Sequence, residues 1–409
     1  MLLLILEYLK NSFFFKVPAV FCYSSTRMIL AAVTTAFLTI CLGPKFIKRL
    51  YALKIGQQIR TLEEVPFLAQ LHGKKKDTPT MGGILILSSM LFSLFLWMDL
   101  KSSFTLILFL TTVILGLLGG VDDYLKLLRR NVKGISPKKK LTIQLLFSSL
   151  IAIYLLWPAF SASIHIGPFF APPTAKQQIE YFKGGKNPIV VSKNLSAKQY
   201  IEMFYLPFFK DPVAIFQGVF SIISFLIIVF VITGSSNAVN LTDGLDGLAA
   251  GCLVMVSSVL ALFAFLSNNS EIARYLNILY IEGSSEIAVY LFALSGACLG
   301  FIWYNGYPAQ VFMGDTGSLA LGGIIGISAV LLRREVLLAI IGGIFVAETI
   351  SVILQVWSYR YRNKKRIFLC TPLHHHFEYK GWPETKVVVR LWIIGLFLAI
   401  VGVASLKFQ

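Results

Sequence analysis

Carboxylate and amide side chains lie at the ends of long apolar runs in this 409-residue chain. The stretch Asn237–Gly251, NAVNLTDGLDGLAAG, separates two such runs. Asp243 and Asp246 would share one helix face if the chain were helical from Leu241 onward. Helix capping would explain one of these acids and not the second. Carboxylate and amide oxygens suit Mg²⁺, which also takes substrate phosphates as ligands, so the stretch indicates a hard-cation site.

Two further acidic motifs also lie at the ends of apolar runs. Gly119–Lys126 reads GGVDDYLK, and its two acids would be unfavourable in a membrane unless they face water, a cation or protein. Consecutive helical residues point about 100° apart, so we expect only one of Asp122 and Asp123 to face a shared site. Asn305–Ser318, NGYPAQVFMGDTGS, holds an acid between two glycines and a phenylalanine that could stack on a base. A solvated helix end and a capping Asp are the alternatives.

Basic and histidine-rich motifs accompany the acids. Lys74–Gly83, KKKDTPTMGG, is a basic turn before a helix, which suits either a phosphate or the membrane surface. Lys126 and Lys140 flank the Asp pair and could also bind phosphate. Three adjacent histidines in Pro372–Glu378, PLHHHFE, cannot easily all chelate one ion. We therefore favour hydrogen bonds to phosphate over a zinc site for this motif.

The composition is that of a polytopic membrane protein. Hydrophobic residues make up 56% of the chain and charged residues only 14%, against about 25% in soluble domains. The five cysteines show no paired spacing and indicate neither disulfides nor zinc. A spanning helix needs about 20 apolar residues. This rule predicts an all-α fold with ten spans: Met28–Leu50, Met81–Met98, Phe104–Asp122, Leu141–Trp157, Val213–Val231, Gly244–Leu266, Ile287–Trp303, Ser318–Leu332, Val336–Trp357 and Val388–Leu406.

Loop charges predict the orientation. Lysine and arginine are concentrated in the segments after spans 1, 3 and 9, which places these segments in the cytoplasm and both termini outside. The polar motifs then all fall on the cytoplasmic side. Residues 159–212 form one long external loop with a small hairpin. Residues 1–27 are interpreted as an N-terminal extension rather than a cleaved signal peptide, and residues 28–409 as a single membrane domain. Acids at span ends, with no repeated broken helices, argue against a transporter.

Five motifs together resemble those of the phospho-N-acetylmuramoyl-pentapeptide transferases, within the polyprenyl-phosphate N-acetylhexosamine-1-phosphate transferases. They are Lys75–Gly83, Asp122–Tyr124, Asn237–Ala249, Asn305–Gly323 and Pro372–Glu378. The resemblance implies a bacterial inner-membrane enzyme with its active site facing the cytoplasm. Its substrates would be UDP-MurNAc-pentapeptide and undecaprenyl phosphate, its cofactor Mg²⁺ and its surroundings the lipid bilayer. It implies no nucleic-acid partner and leaves a homodimer open. A sister enzyme that uses UDP-N-acetylglucosamine is the alternative.

The resemblance also implies residue roles. Asp122, Asp123 and Asp315 resemble the catalytic acids, and the metal would be held by Asp315 and Asp243. Substrate-binding positions are matched by Lys75, Thr80, Lys126, Lys140, Asn237, Asn240, Asp243, Asp246, Asn305, Phe312, Gln355, His374, His375 and His376. Asp77 and the length of the 159–212 loop depart from the family pattern. Direct attack by the lipid phosphate, with Asp123 as base, is favoured over a covalent phospho-enzyme, which stays open.

Overall fold

The computed structural model describes residues 19–53, 78–128, 134–167, 169–181 and 189–407, and these residues are mainly helical. Lys75 and Asp77 lie outside the described residues. The helices are α1 Ser24–Ala52, α2 Gly83–Trp97, α3 Ser103–Leu128, α4 Pro137–Leu156, α5 Pro158–Ile164, α6 Ala197–Ile201, α7 Ser221–Thr242, α8 Leu248–Ser267, α9 Ser270–Tyr275, α10 Ser285–Asn305, α11 Gly314–Leu331, α12 Glu335–Ile341, α13 Gly343–Tyr361, α14 Leu373–Tyr379 and α15 Glu384–Ala404.

The helices confirm an all-α polytopic membrane protein. Within the described ranges, eight are long and apolar enough to cross a membrane, and the pair α12–α13 would make a ninth span. The apolar helix α2 is shorter, with 15 residues. The expected continuous span Val336–Trp357 is wrong, because α12 and α13 meet at an angle of 85°. Gly342 lies at this bend, where it ends one helix and precedes the next.

The stretch between α7 and α8 is not helical. Helix α7 ends at Thr242 and α8 begins only at Leu248, so the expectation that Asp243 and Asp246 share a helix face is wrong. Gly247 has a φ of +79°, a left-handed conformation that glycine adopts without a steric penalty. The break therefore leaves the two acids on an irregular segment rather than on one face of α8.

Helix α11 lies at the centre of the bundle. All of its residues from Thr316 to Leu331 are buried, as expected for a helix that is apolar on every side. Helices α3 and α7 both pack against it. Gly322 meets α7 at Ser235 and Ser236, and such small residues let helices in a membrane approach closely. The polar N-terminus of α11 is thereby held between α3 and α7.

Short strands lie between and beside the spanning helices. They are β1 Ala175–Tyr181, β2 Ile189–Leu195, β3 Met203–Phe204, β4 Ala214–Ile215 and β5 Tyr280–Ile281. β1 and β2 pair antiparallel with Ala175 opposite Leu195, which agrees with the expected hairpin, and β5 adds to the other edge of β1. The α11–α12 turn is tight and buried, and Arg333 donates from Nε to the Met203 carbonyl at 2.8 Å.

Candidate active site

Three carboxylates from two helices form one cluster. Asp122 and Asp123 lie on the last turns of α3, and Asp315 lies in the first turn of α11. One oxygen from each lies within 4.8 Å of the other two. The expectation that only one acid of the pair would face a shared site is therefore wrong. Both acids are buried because the 134–135 segment covers one of them and α11 covers the other.

Two lysines join the acids. Lys126 Nζ lies 2.7 Å from Asp122 Oδ2 and 3.0 Å from Asp315 Oδ2. Lys140 Nζ, from the first turn of α4, lies 3.0 Å and 2.6 Å from the same two oxygens. The shared oxygens place the two ammonium groups side by side between α3 and α11. Three carboxylates and two lysines leave one net negative charge in this group.

The N-terminus of α11 holds Asp123. Its Oδ2 accepts hydrogen bonds from the Thr316 N–H at 2.9 Å and the Thr316 hydroxyl at 2.7 Å. Its Oδ1 accepts from the Asp315 N–H at 3.2 Å. These are N–H groups that a helix leaves unpaired at its start, so the carboxylate takes the place of a capping group. Asp123 is thus fixed in position by α11.

A glycine makes this contact possible. Gly314 has a φ of +75°, and a Cβ atom there would lie 2.7 Å from Asp123 Oδ2 and 2.8 Å from Thr80 Oγ1. The residue must therefore both adopt a left-handed conformation and leave room for two side chains. The side chains of Thr80 and Asp123 therefore both lie beside Gly314, and substrate binding by Thr80 stays a prediction. Phe312 is partly buried, and its backbone bonds to Pro79 and Gly82 join the same two segments.

Asn240 links α7 to the acids. Its Nδ2 donates to Asp315 Oδ1 and to Ser318 Oγ, both at 2.8 Å. Asn237 lies three residues earlier and donates to Gln144 Oε1 on α4 at 2.8 Å. The structure thus brings Asn240 into the acid cluster, whereas Asn237 makes its contacts with α4.

Asp243 lies beside the cluster without being one of its three central acids. It is partly buried and lies near the backbone of Gly314 at the start of α11. Burial, and then the nearby charges of Asp315 and Asp123, raise the pKa of Asp243 to about 7. The carboxylate is therefore easily protonated in the absence of a cation.

Asp246 and Asn305 hold loops together. Asp246 Oδ2 accepts from the Ala309 N–H at 3.0 Å. Asn305 Oδ1 accepts from the Gly247 N–H at 3.0 Å, and its Nδ2 donates to the Val311 carbonyl at 2.9 Å. Both side chains are buried, so they fix the 243–247 segment against the 305–311 segment.

Gln355 lies on α13 and the three histidines lie on α14. Gln355 Oε1 accepts from the Ile367 and Phe368 N–H groups, each at 3.0 Å, so it fixes the segment before α14. His374 is buried beside Glu348, and its Nε2 lies close against Gly244. The other two point elsewhere: His375 Nδ1 is 2.7 Å from Glu378 Oε2, and His376 Nδ1 accepts from the Leu369 N–H. They do not converge on one ion.

Comparison with known proteins decides the family. A model described as glycosyl transferase family 4 matches residues 105–333, and a phospho-N-acetylmuramoyl-pentapeptide-transferase signature matches residues 75–87. A phospho-N-acetylmuramoyl-pentapeptide-transferase of Protochlamydia amoebophila strain UWE25 is 63% identical over 411 residues, with all of both chains covered. The chain belongs to this transferase family. Another member, from Thermodesulfovibrio yellowstonii, is 43% identical over 393 residues, with 95% of each chain covered.

The acid cluster of this transferase family member fits a metal ion. Its carboxylate oxygens are hard ligands, and they already surround positive charge in the form of two ammonium groups. Asp122, Asp123 and Asp315 could hold an ion together. Asp243, the other metal ligand expected from the sequence, lies next to them and stays a prediction.

Sequence reasoning missed the groups that hold the acids. Thr316 holds Asp123, and the Ile135 N–H donates to Asp122 Oδ1 at 2.7 Å. Gln144 and Glu348 were also missed. Thr316 was present in the GDTGS motif, but backbone donors have no residue type to mark them. Gln144 is a buried amide within an apolar span, which is a signal that the sequence does carry.

Proposed function

We propose that this protein transfers phospho-MurNAc-pentapeptide from UDP-MurNAc-pentapeptide to undecaprenyl phosphate. The products are undecaprenyl-diphospho-MurNAc-pentapeptide, or lipid I, and UMP. The observation that carries the proposal is the full-length, 63% identical relative with the name phospho-N-acetylmuramoyl-pentapeptide-transferase. The buried cluster of three acids and two lysines supports it, because phosphoryl transfer depends mainly on positioning and charge stabilisation.

The metal of the proposed reaction is Mg²⁺. Asp315 and Asp243 are its proposed ligands, and the Asp122 and Asp123 carboxylates complete the oxygen-rich surroundings. When bound, Mg²⁺ would offset negative charge on the diphosphate and on the leaving UMP. The donor set supports a hard cation, since the four proposed groups are all carboxylates.

The lysines bind phosphate in this proposal. Lys126 and Lys140 each contact two acids, so each ammonium can keep one carboxylate partner while it also binds a phosphate oxygen. Lys75 and Thr80 are proposed to add to this subsite. Phe312 is the proposed surface for the uracil ring. Asn237, Asn240, Asp246, Asn305, Gln355 and His374–His376 are proposed to bind or shape the nucleotide-sugar pocket.

Direct attack by the lipid phosphate remains the proposed route. Asp123 is its proposed base: three donors hold its two oxygens in place, and a carboxylate has about four lone-pair sites, so one remains for a proton. A covalent route would release UMP from the nucleotide-sugar in amounts equal to the enzyme before any lipid is added. Direct attack releases UMP only after undecaprenyl phosphate is supplied.

The proposed location is the bacterial inner membrane, with the acid cluster on the cytoplasmic side and both termini outside. The positive charge of the segments after spans 1, 3 and 9 supports this orientation. A homodimer is compatible with the proposal and is not required by the site, since all three acids come from one chain.

One assay separates the proposed function from its alternative. Purified protein in detergent is given undecaprenyl phosphate with either UDP-MurNAc-pentapeptide or UDP-N-acetylglucosamine, and UMP is measured. The proposal predicts Mg²⁺-dependent UMP release when UDP-MurNAc-pentapeptide is the nucleotide-sugar, and no release when it is UDP-N-acetylglucosamine. Release with UDP-N-acetylglucosamine alone would instead identify the sister transferase. A matched control is Asp315→Asn, which retains the size of the side chain and removes its charge.

A further inference from the structure

A ridge of polar side chains runs along the buried contact between α4 and α7. On α4 it consists of Lys140, Gln144 and Ser148, which are four residues apart and therefore share one helix face. Lys140 reaches the acids, whereas Ser148 bonds to the Thr233 hydroxyl at 3.1 Å. Gln144, between them, is 1% exposed and has no role in the function proposed so far. A buried amide inside a span is unfavourable unless its partners are well placed.

The hydrogen-bond partners of Gln144 determine the orientation of its side-chain amide. The Ser236 hydroxyl donates its hydrogen to the Leu319 carbonyl at 2.8 Å. Ser236 Oγ can then only accept from Gln144, so the group 3.0 Å away must be the Gln144 NH₂. The Gln144 carbonyl oxygen is consequently turned towards Asn237, and it accepts from Asn237 Nδ2 at 2.8 Å.

A second contact confirms the orientation of the Asn237 side-chain amide. Its Nδ2 also donates to the Thr233 carbonyl at 2.8 Å, and a backbone carbonyl can only accept. An amide nitrogen has two hydrogens, and both are now used. The remaining polar atom of Asn237, its Oδ1, has no partner within the part of the chain that the structure describes.

We propose that Gln144 is a positioning residue that acts through Asn237. It holds the Asn237 amide so that only the carbonyl oxygen is offered to the nucleotide-sugar. The group that binds there must then carry a donor hydrogen, a hydroxyl or an N–H. A phosphate oxygen is excluded, because two acceptors repel one another. This inference rests on the proposed function and refines the role of Asn237 within it.

Replacement of Gln144 by an apolar residue removes one of the two groups that orient the amide. Gln144→Met preserves length and unbranched shape without a hydrogen-bond acceptor. The Asn237 amide can then turn over and present NH₂ where the ligand needs an acceptor. The substitution weakens one neutral hydrogen bond, that between the Asn237 oxygen and the nucleotide-sugar. We therefore expect the KM for the nucleotide-sugar to rise about five- to tenfold. The KM for undecaprenyl phosphate and the Mg²⁺ concentration for half-maximal turnover should stay unchanged.

A double-mutant cycle tests whether Gln144 acts through Asn237. Wild type, Gln144→Met, Asn237→Ala and the double variant are compared by UMP release at varied nucleotide-sugar concentration. We expect Gln144→Met to have no further effect on KM once Asn237 is Ala. Gln144→Glu retains an oxygen in place of Oε1 and should lie closer to wild type than Gln144→Met. Ser148→Ala is the matched control, because it breaks a bond between the same two helices one turn away.

The outcomes separate this inference from the proposed function. If wild-type protein releases no UMP, the proposed function fails. If wild type is active but the Gln144 and Asn237 effects multiply independently, only the positioning role is overturned. An equal rise in KM in Ser148→Ala would overturn it too, because general helix packing would explain both. A change confined to the lipid KM or to the Mg²⁺ requirement would place the Asn237 oxygen on another ligand and would also overturn it. Thermal unfolding of each variant checks that it is folded.

Discussion

Gly314→Ala tests how tightly the N-terminus of α11 holds the acids. The substitution has two effects. At a φ of +75° an alanine is strained by about 1–2 kcal/mol. The new Cβ would also lie 2.7 Å from Asp123 Oδ2, whereas ordinary contact begins at 3.4 Å. The Asp123 carboxylate must therefore move by about 0.7 Å, since the difference between these two distances is 0.7 Å.

A displacement of this size should greatly reduce turnover. Asp123 would lose the alignment of the hydrogen bonds from Thr316 and Asp315 that hold it. Misplacement of a reacting group by 1 Å can reduce a rate by about a hundredfold. We therefore expect UMP release by Gly314→Ala to fall by on the order of a hundredfold at saturating substrates.

Gly218→Ala is the matched control. Gly218 has a φ of +64°, and no atom lies within 4 Å of the position that its Cβ would take. This variant carries the same kind of backbone strain without a collision, so its unfolding temperature should fall while its turnover stays near wild type. Activity of Gly314→Ala within about threefold of Gly218→Ala would refute the reasoning, because strain alone would then account for the effect.

Three further predictions concern charge and orientation. Asp315→Asn should reduce UMP release by about a hundredfold or more, and normal turnover at saturating Mg²⁺ with normal expression would contradict its metal role. Because the pKa of Asp243 is raised from 3.8 to about 7, the folded protein holds a proton that the unfolded chain releases, and stability decreases as the pH rises through this window. In the presence of a chelator, Asp243→Asn should therefore raise the unfolding temperature more at pH 8 than at pH 5, and an equal gain at both would count against the shift. In a cysteine-free background, Lys193→Cys should react with an impermeant thiol reagent outside intact cells and Lys138→Cys should not, whereas the reverse pattern would invert the topology.

Much of the fold can be predicted from the sequence, because an apolar run of membrane length is compatible with few structures other than a spanning helix. The sequence also predicted the hairpin that β1 and β2 form. The break after Thr242 and the bend at Gly342 could not be predicted from the sequence, because both depend on how the neighbouring helices pack. Gly244 and Gly247 did mark the break, but glycine is also common in unbroken membrane helices.

The candidate active site could likewise be predicted from the sequence only in part. The acids stand out by type and by place, at the ends of apolar runs. Whether Asp122 and Asp123 both face inward could not be derived from helical periodicity, because α3 is surrounded at that end by two different segments. The backbone N–H groups of Ile135 and Thr316 reach the acids only through the tertiary fold. Their role cannot be predicted from the residue types at these positions.

The first N–H groups of a helix are ordinarily an open site for anions. In α11 two of them are already taken, because Asp315 and Thr316 donate to Asp123. An incoming phosphate would have to compete with Asp123 for these two donors, whereas Lys126 and Lys140 offer it positive charge directly. The same bonds join Asp123 on α3 to α11, which itself carries Asp315. The spacing of these two acids is therefore set by the packing of α3 against α11, and it would survive loop motions that would separate acids held on independent loops.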